Sequence, residues 1–305
     1  MLASKDEVSR GAQGPRFAVG SAIFGFQEVE DLEPAIRLVA GAGFPGIELY
    51  PHSIPRRYYK RPGELRDLFD RYGLKVVTVS NGASVTRSDF VDPVKREGTI
   101  ADHFALARDL LAVLGCEHFK INVGQRPEGG PSDSDLRALA TTLNELGRAT
   151  ADVGVKLAPH PHIWGPMERP EEIIRIMELT DPRYVYMTPD TGHINLGGGE
   201  PLEIISRFYD RIVAYHWKDT KAEYRGYAGP TPTREMHQRE NLYRDIGSGG
   251  VDHVGVWELL LSRGYKGWIT LDLDPPRPAE GEGTVEDKLA INKRFLTDTL
   301  RVEHL

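Results

Sequence analysis

The 305-residue chain carries 38 basic and 45 acidic side chains, a net charge of −7, with 40% hydrophobic and 27% charged residues. That composition allows a sizeable core, and the acidic balance gives no overall attraction to nucleic-acid phosphates or anionic lipid. One cysteine, Cys116, excludes an internal disulfide and any paired-thiol zinc or redox motif.

Residues 1–15, rich in Ser, Gly and charge, have neither the apolar core of a secretion signal nor the pattern of a transit peptide, and read as a flexible N-terminal tail. No apolar run nears the ~18 residues of a membrane helix, so a soluble cytoplasmic protein is expected. From residue 16 onward, short β-branched segments alternate with longer amphipathic ones, the pattern of parallel strands joined by crossover helices. Strands are predicted at 17–21, 46–50, 75–80, 118–123, 155–160, 184–190, 212–217 and 268–274. Helices are predicted at 32–42, 63–72, 93–114, 132–153, 170–179, 201–209, 251–263 and 285–302. Helix starts carry capping signals, such as Ser132 with Asp135 three residues later and Pro201 after Glu200, and glycines such as Gly43 and Gly115 stand where helices should stop. Eight βα units of about 38 residues suit a single (β/α)8 TIM barrel of α/β class spanning 16–305, with a doubly wound open sheet as the alternative. The long irregular insert at about 221–250 reads as a lid or an intersubunit contact, the latter making a homo-oligomer possible.

In such barrels chemistry gathers at the C-terminal ends of the strands. There the sequence places His160 and His162, Asp190 and His193, His216 and Lys218, and Asp272 and Asp274. Members of a pair spaced by two point to one side of a strand, so imidazoles and carboxylates from four consecutive strands converge on one mouth. Mixed N/O ligands suit Mn, Zn, Co or Fe better than Mg as the one divalent ion. Zinc-protease, P-loop and nucleophile-elbow motifs are absent, and Gly197-Gly198-Gly199 lacks the spacing of a dinucleotide fingerprint. Lys120 and Asn122 share a face of the fourth predicted strand and can reach substrate hydroxyls, and Glu48 on the second is a further substrate-binding or acid residue. Arg277 is the one phosphate-binding possibility near the last strand, and without a second basic partner it favours an unphosphorylated substrate.

The motifs from Gly43-Phe44-Pro45-Gly46-Ile47-Glu48-Leu49 through His160-Pro161-His162, Asp190-Thr191-Gly192-His193, His216-Trp217-Lys218-Asp219 and Ile246-Gly247-Ser248-Gly249-Gly250-Val251-Asp252 to Leu271-Asp272-Leu273-Asp274 occur in an order that resembles the xylose isomerase-like TIM-barrel superfamily. The resemblance covers nearly the whole chain. It implies a metal-dependent enzyme acting on a sugar or cyclitol, with the ion on His160, Asp190, His216 and Asp272. His160 stands where the family usually has Glu, and Asp272 is one methylene shorter than the usual Glu. The resemblance implies an isomerase or epimerase first, and next, from the His-Pro-His and Asp-Thr-Gly-His runs, an inosose dehydratase-like lyase. Both begin by enolisation, with Asp274 or His193 as base, Lys218 as acid or electrophile, and Glu48, Lys120, Asn122 and His162 binding substrate. An endonuclease IV-like phosphodiesterase fits poorly, lacking a basic surface, while a non-catalytic scaffold draws support from the two ligand departures.

Overall fold

Strands and helices alternate through residues 14–82, 86 and 89–305, the part of the chain that the computed structural model describes. The predicted tail thus lies almost wholly outside the described residues. The strands are β1 (Arg16–Gly20), β2 (Gly46–Leu49), β3 (Lys75–Val79), β4 (His118–Ile121), β5 (Lys156–Pro159), β6 (Ala214–Trp217), a small antiparallel pair β7 (Asp219–Thr220) and β8 (Tyr243–Arg244), and β9 (Trp268–Leu271). Parallel ladders run in the order β3-β2-β1-β9-β6 and, separately, β4-β5.

Two seams close the ring. Between β5 and β6 lies the predicted sixth strand, which is no continuous strand but an extended run held by isolated parallel bridges, Leu157 to Val185, Met187 to Ile212 and Asp190 to His216. Asp190 follows Met187 by three positions while their partners are four positions apart, so one extra residue bulges out just before His216. Between β3 and β4, side chains replace part of the ladder. The Thr78 hydroxyl donates to the His118 carbonyl (2.8 Å), and the Asn81 amide exchanges two hydrogen bonds with the backbone of Asn122 (2.7 and 2.8 Å). The architecture is the closed (β/α)8 barrel, and its strands stop earlier than predicted because the chain leaves the ladder where its side chains turn into the mouth.

Helices α1 (Glu33–Gly41), α2 (Pro62–Arg71), α3 (Arg96–Leu106), α4 (Ala112–Leu114), α5 (Asp133–Ala151), α6 (Pro170–Leu179), α7 (Thr191–Leu196), α8 (Pro201–Phe208), α9 (Arg234–Glu240), α10 (His253–Ser262) and α11 (Val285–Arg294) surround the strands or cover the mouth. The predicted helix at 93–114 starts only at Arg96 and contains a π turn over Ala107–Leu111. Ser132 forms the capping box with Asp135, and Gly115 ends α4 at φ 75, a conformation that favours glycine. Among the described residues no helix is long and apolar enough to cross a membrane.

Side chains pointing into the barrel repeat every second residue, so each strand contributes a stack. At the floor Ala18, Val77, Ala214 and Trp268 form an apolar plug. Gly46 is required there, because a Cβ on it would come within 2.6 Å of the Trp268 ring. One step up stand Glu48, Lys120 and His216, each about 1% exposed. At the mouth come Tyr50, Asn122, His160, Lys218 and Asp272. A one-residue shift of register in the β2/β3 ladder falls between Ile47 and Glu48, so both Glu48 and His216 sit beside irregularities that re-aim them.

The buried imidazole of His103 on α3 braces the β3/β4 seam. Its Nδ1–H donates to the Thr99 carbonyl (2.7 Å), and its bare Nε2 accepts from the Asn81 amide (2.9 Å). Burial pulls its pKa from 6.5 down to about 4. The folded state therefore resists a proton that the unfolded chain accepts, so this contribution to stability is complete above pH 6.5 and is lost progressively as pH falls toward 4. Denaturant unfolding at pH 7.5 and pH 5 should show an acid penalty about 2 kcal/mol smaller in His103→Gln than in the native chain.

Candidate active site

Just below the mouth His216 is held from behind. Its Nε2–H donates to Glu48 Oε2 (2.7 Å), and the other Glu48 oxygen lies 3.5 Å from Lys120 Nζ. This leaves Nδ1 directed at two carboxylates, Asp190 Oδ2 at 3.6 Å and Asp272 Oδ2 at 3.5 Å. Although burial opposes charge on this ring, Glu48 and the two aspartates raise its pKa to about 10. The position in front of Nδ1 is thus one where the protein favours a positive charge.

His160 approaches from the other side. Its Nδ1–H donates to the Thr188 carbonyl (3.2 Å), which fixes the tautomer and leaves Nε2 bare, 4.0 Å from the same Asp190 oxygen. Burial drives the His160 pKa well below 6.5, so the ring is neutral and presents a lone pair to a carboxylate. Asp190 Oδ2 and His216 Nδ1 are buried and without a hydrogen-bond partner. The Asp190 carboxylate faces the bare Nε2 of His160 in a dry site, and two acceptors so placed are costly unless a cation, a proton on His216 Nδ1 or a metal ion, lies between them. Two overlapping groups, His160/Asp190/His193 and Asp190/His216/Asp272, have the spacing to hold a metal ion. Each group mixes imidazole and carboxylate donors, a set that fits a divalent transition metal. The other Asp190 oxygen caps α7 by accepting from the His193 amide (2.8 Å), which locks the carboxylate in place.

Lys218 Nζ donates to Asp274 Oδ1 (2.7 Å) and to the Asp272 carbonyl (3.1 Å), and lies 3.5 Å from Asp272 Oδ2. Burial disfavours its charge, but Asp272 and Asp274 outweigh that and hold the lysine protonated. Asp274, the alternative base, is occupied by Lys218 and by His237 Nε2 at 3.5 Å. Opposite, the rings of His162 and His193 lie 3.7 Å apart, and burial depresses both, His162 to about 4 and His193 well below its usual value. His193 Nδ1 is 3.2 Å from the Tyr243 hydroxyl.

His160, His162, His193, Lys218 and Asp274 line a cavity of about 270 Å³ together with Asn122, Lys120 and Asp272, whereas Asp190 and His216 are not among its lining residues. Glu48 does not line it and lies behind His216, a position that orients the imidazole. Tyr50, His237, Tyr243 and Phe26 line the cavity as well, and sequence reasoning had given them no role there. Tyr50 could have been found, since it follows Gly46 and Glu48 in the inward alternation. His237 and Tyr243 come from the insert, which has no strand period to read. The insert folds back over its own barrel: Trp164 Nε1–H donates to the Pro232 carbonyl (2.8 Å) and Thr231 Oγ1 to Glu168 (2.8 Å). Arg277 is engaged by Glu280 (3.0 Å) and the carbonyls of His237 and Gln238, away from the cavity lining.

A family model described as xylose isomerase-like TIM barrel matches residues 36–294. The chain belongs to that family. Among curated relatives of this xylose isomerase-like barrel, the inosose dehydratase of Lacticaseibacillus casei is 28% identical over 263 residues, covering 79% of this chain and 82% of that one. The inosose dehydratase of Clostridium beijerinckii is 26% identical over 255 residues, with 79% and 82% covered. Similar solved structures include the IOLI protein with a binding zinc atom (TM-score 0.73, 17% identity, 93% of this chain and 98% of that one). A probable 3-DHS dehydratase from Bacillus anthracis (TM-score 0.70, 16% identity, 92% and 98%) is another. At these identities the structural likeness carries the fold.

Proposed function

We propose that the protein is a metal-dependent dehydratase that enolises a keto-cyclitol or keto-sugar and eliminates water from it. The observation carrying this reading is the convergence of Asp190 Oδ2 and His216 Nδ1, both buried and without a partner, beside neutral imidazoles on one side and a protonated lysine on the other. His160, Asp190, His216 and Asp272 would hold the ion, and when bound it supplies electrophilic stabilisation of a carbonyl and its enolate. His193, neutral and steadied by Tyr243, takes the proton from the carbon next to the carbonyl. Lys218 delivers a proton to the departing hydroxyl, and Asp274 holds its ammonium in position. Asn122 and Lys120 bind substrate hydroxyls, and His162 packs the base. Epimerisation needs a proton returned to carbon from the opposite face, whereas here a base faces a cation that suits a leaving hydroxyl. The names of the curated relatives support the same choice.

A panel of keto-inositols and ketoses in D₂O tests this, with deuterium at carbon reporting enolisation and enone absorbance reporting loss of water. Lys218→Met should cut elimination by about a thousandfold while retaining a measurable fraction of the exchange. Equal loss of both would remove Lys218 from the second step, and exchange with no enone from any substrate would favour isomerisation.

A further inference from the structure

The cavity continues into a second compartment of about 200 Å³, and both share Asn122, His160, His162, Trp164 and Arg234 as walls. The two ends differ in charge. Around the first stand Asp272 and Asp274, while no carboxylate lines the second among the described residues, where Arg234 is the one lysine or arginine. The two lysines of the first compartment are already matched, Lys120 with Glu48 and Lys218 with Asp272 and Asp274. Arg234 is not: its guanidinium lies over the Trp164 ring, 4.4 Å from the centroid, and donates to the neutral Gln125 Oε1 (3.0 Å), and among the described residues no carboxylate forms a direct ion pair with it.

The surface it stacks on is itself fixed. Trp164 is a non-glycine residue in the left-handed region at φ 66, its indole N–H donates to the Pro232 carbonyl (2.8 Å), and its backbone N–H donates to Glu168. Stacking on an anchored indole leaves the remaining guanidinium donors preorganised for a planar or tetrahedral anion.

We infer that the substrate carries an anionic substituent, a carboxylate or a phosphate, received by Arg234 in the second compartment while its carbonyl end lies in the first beside His160 and Asp272. This rests on the dehydratase reading above and narrows it; a phosphate would depart from the expectation of an unphosphorylated substrate drawn from Arg277, and a carboxylate would not. The shared walls between the compartments make the span that one ring bearing one charged substituent would occupy.

Calorimetric titration tests it with three ligands: a neutral cyclitol, a matched cyclitol carboxylate, and a cyclitol phosphate. The native protein should bind one of the two anions about tenfold more tightly than the neutral ligand, and that ratio should fall to near one in Arg234→Gln, be partly kept in Arg234→Lys, and shrink with added salt. Whichever anion shows the Arg234-dependent preference identifies the substituent. Equal affinity for all three ligands, or a preference that survives Arg234→Gln, overturns the inference and leaves the dehydratase reading standing. Failure of all three to bind overturns both.

Discussion

Replacing Asp190 by Asn is expected to lower enolisation by about a thousandfold, the scale of losing one preorganised charge from a buried reaction centre. Asn keeps the oxygen that caps α7 and nearly the same volume, so the change falls on Oδ2, the atom shared by His160 at 4.0 Å and His216 at 3.6 Å. Burial raises the pKa of this carboxyl, which means the folded protein keeps it ionised at a cost. The neutral amide removes that cost, so thermal stability in metal-free buffer should hold or rise while activity collapses. Loss of stability in step with activity would make Asp190 a structural ion-pair partner instead.

Asp219→Ala is expected to destabilise the fold by about 4 kcal/mol, enough to remove much of a domain's margin. The Asp219 carboxylate is fully buried and accepts from four backbone amides, those of Thr220 (2.8 Å), Gly247 (2.8 Å), Gly249 (3.1 Å) and Val251 (3.0 Å). It thereby pins the glycine loop that brings the insert back to the barrel. Truncation strands these donors without water. The loop cannot escape by changing sequence at Gly249, where a Cβ would meet the Thr220 carbonyl at 1.8 Å. Chemical denaturation checks the figure, and a loss under 1 kcal/mol would mean that the loop finds other acceptors.

Much of this architecture was legible because barrel strands obey a two-residue period. Alternation alone placed His216 with Lys218 and put Trp217 on the opposite side, where its ring meets Phe17 and Trp257. The βα rhythm located all eight positions, including 184–190, yet it could not show that this segment pairs only through isolated bridges, since a bulge depends on the neighbour's register. The same limit hid the role of Glu48: its inward direction was readable, but contact with His216 from across the barrel depends on ring closure. Asp219 stood in a recognisable run of residues, although nothing local connects it to amides near 249, and the lining side chains of the insert, Arg234, His237 and Tyr243, follow no period at all.

The central claim is that His216, Asp190, His160 and Asp272 share a divalent cation. Titrating metal-free protein with Mn²⁺ while following thermal unfolding tests it most directly. A saturable rise in melting temperature at one ion per chain, abolished in Asp190→Asn, is the predicted result; an unfolding curve that ignores the ion in the native protein, or a rise that is the same in the variant, would contradict it.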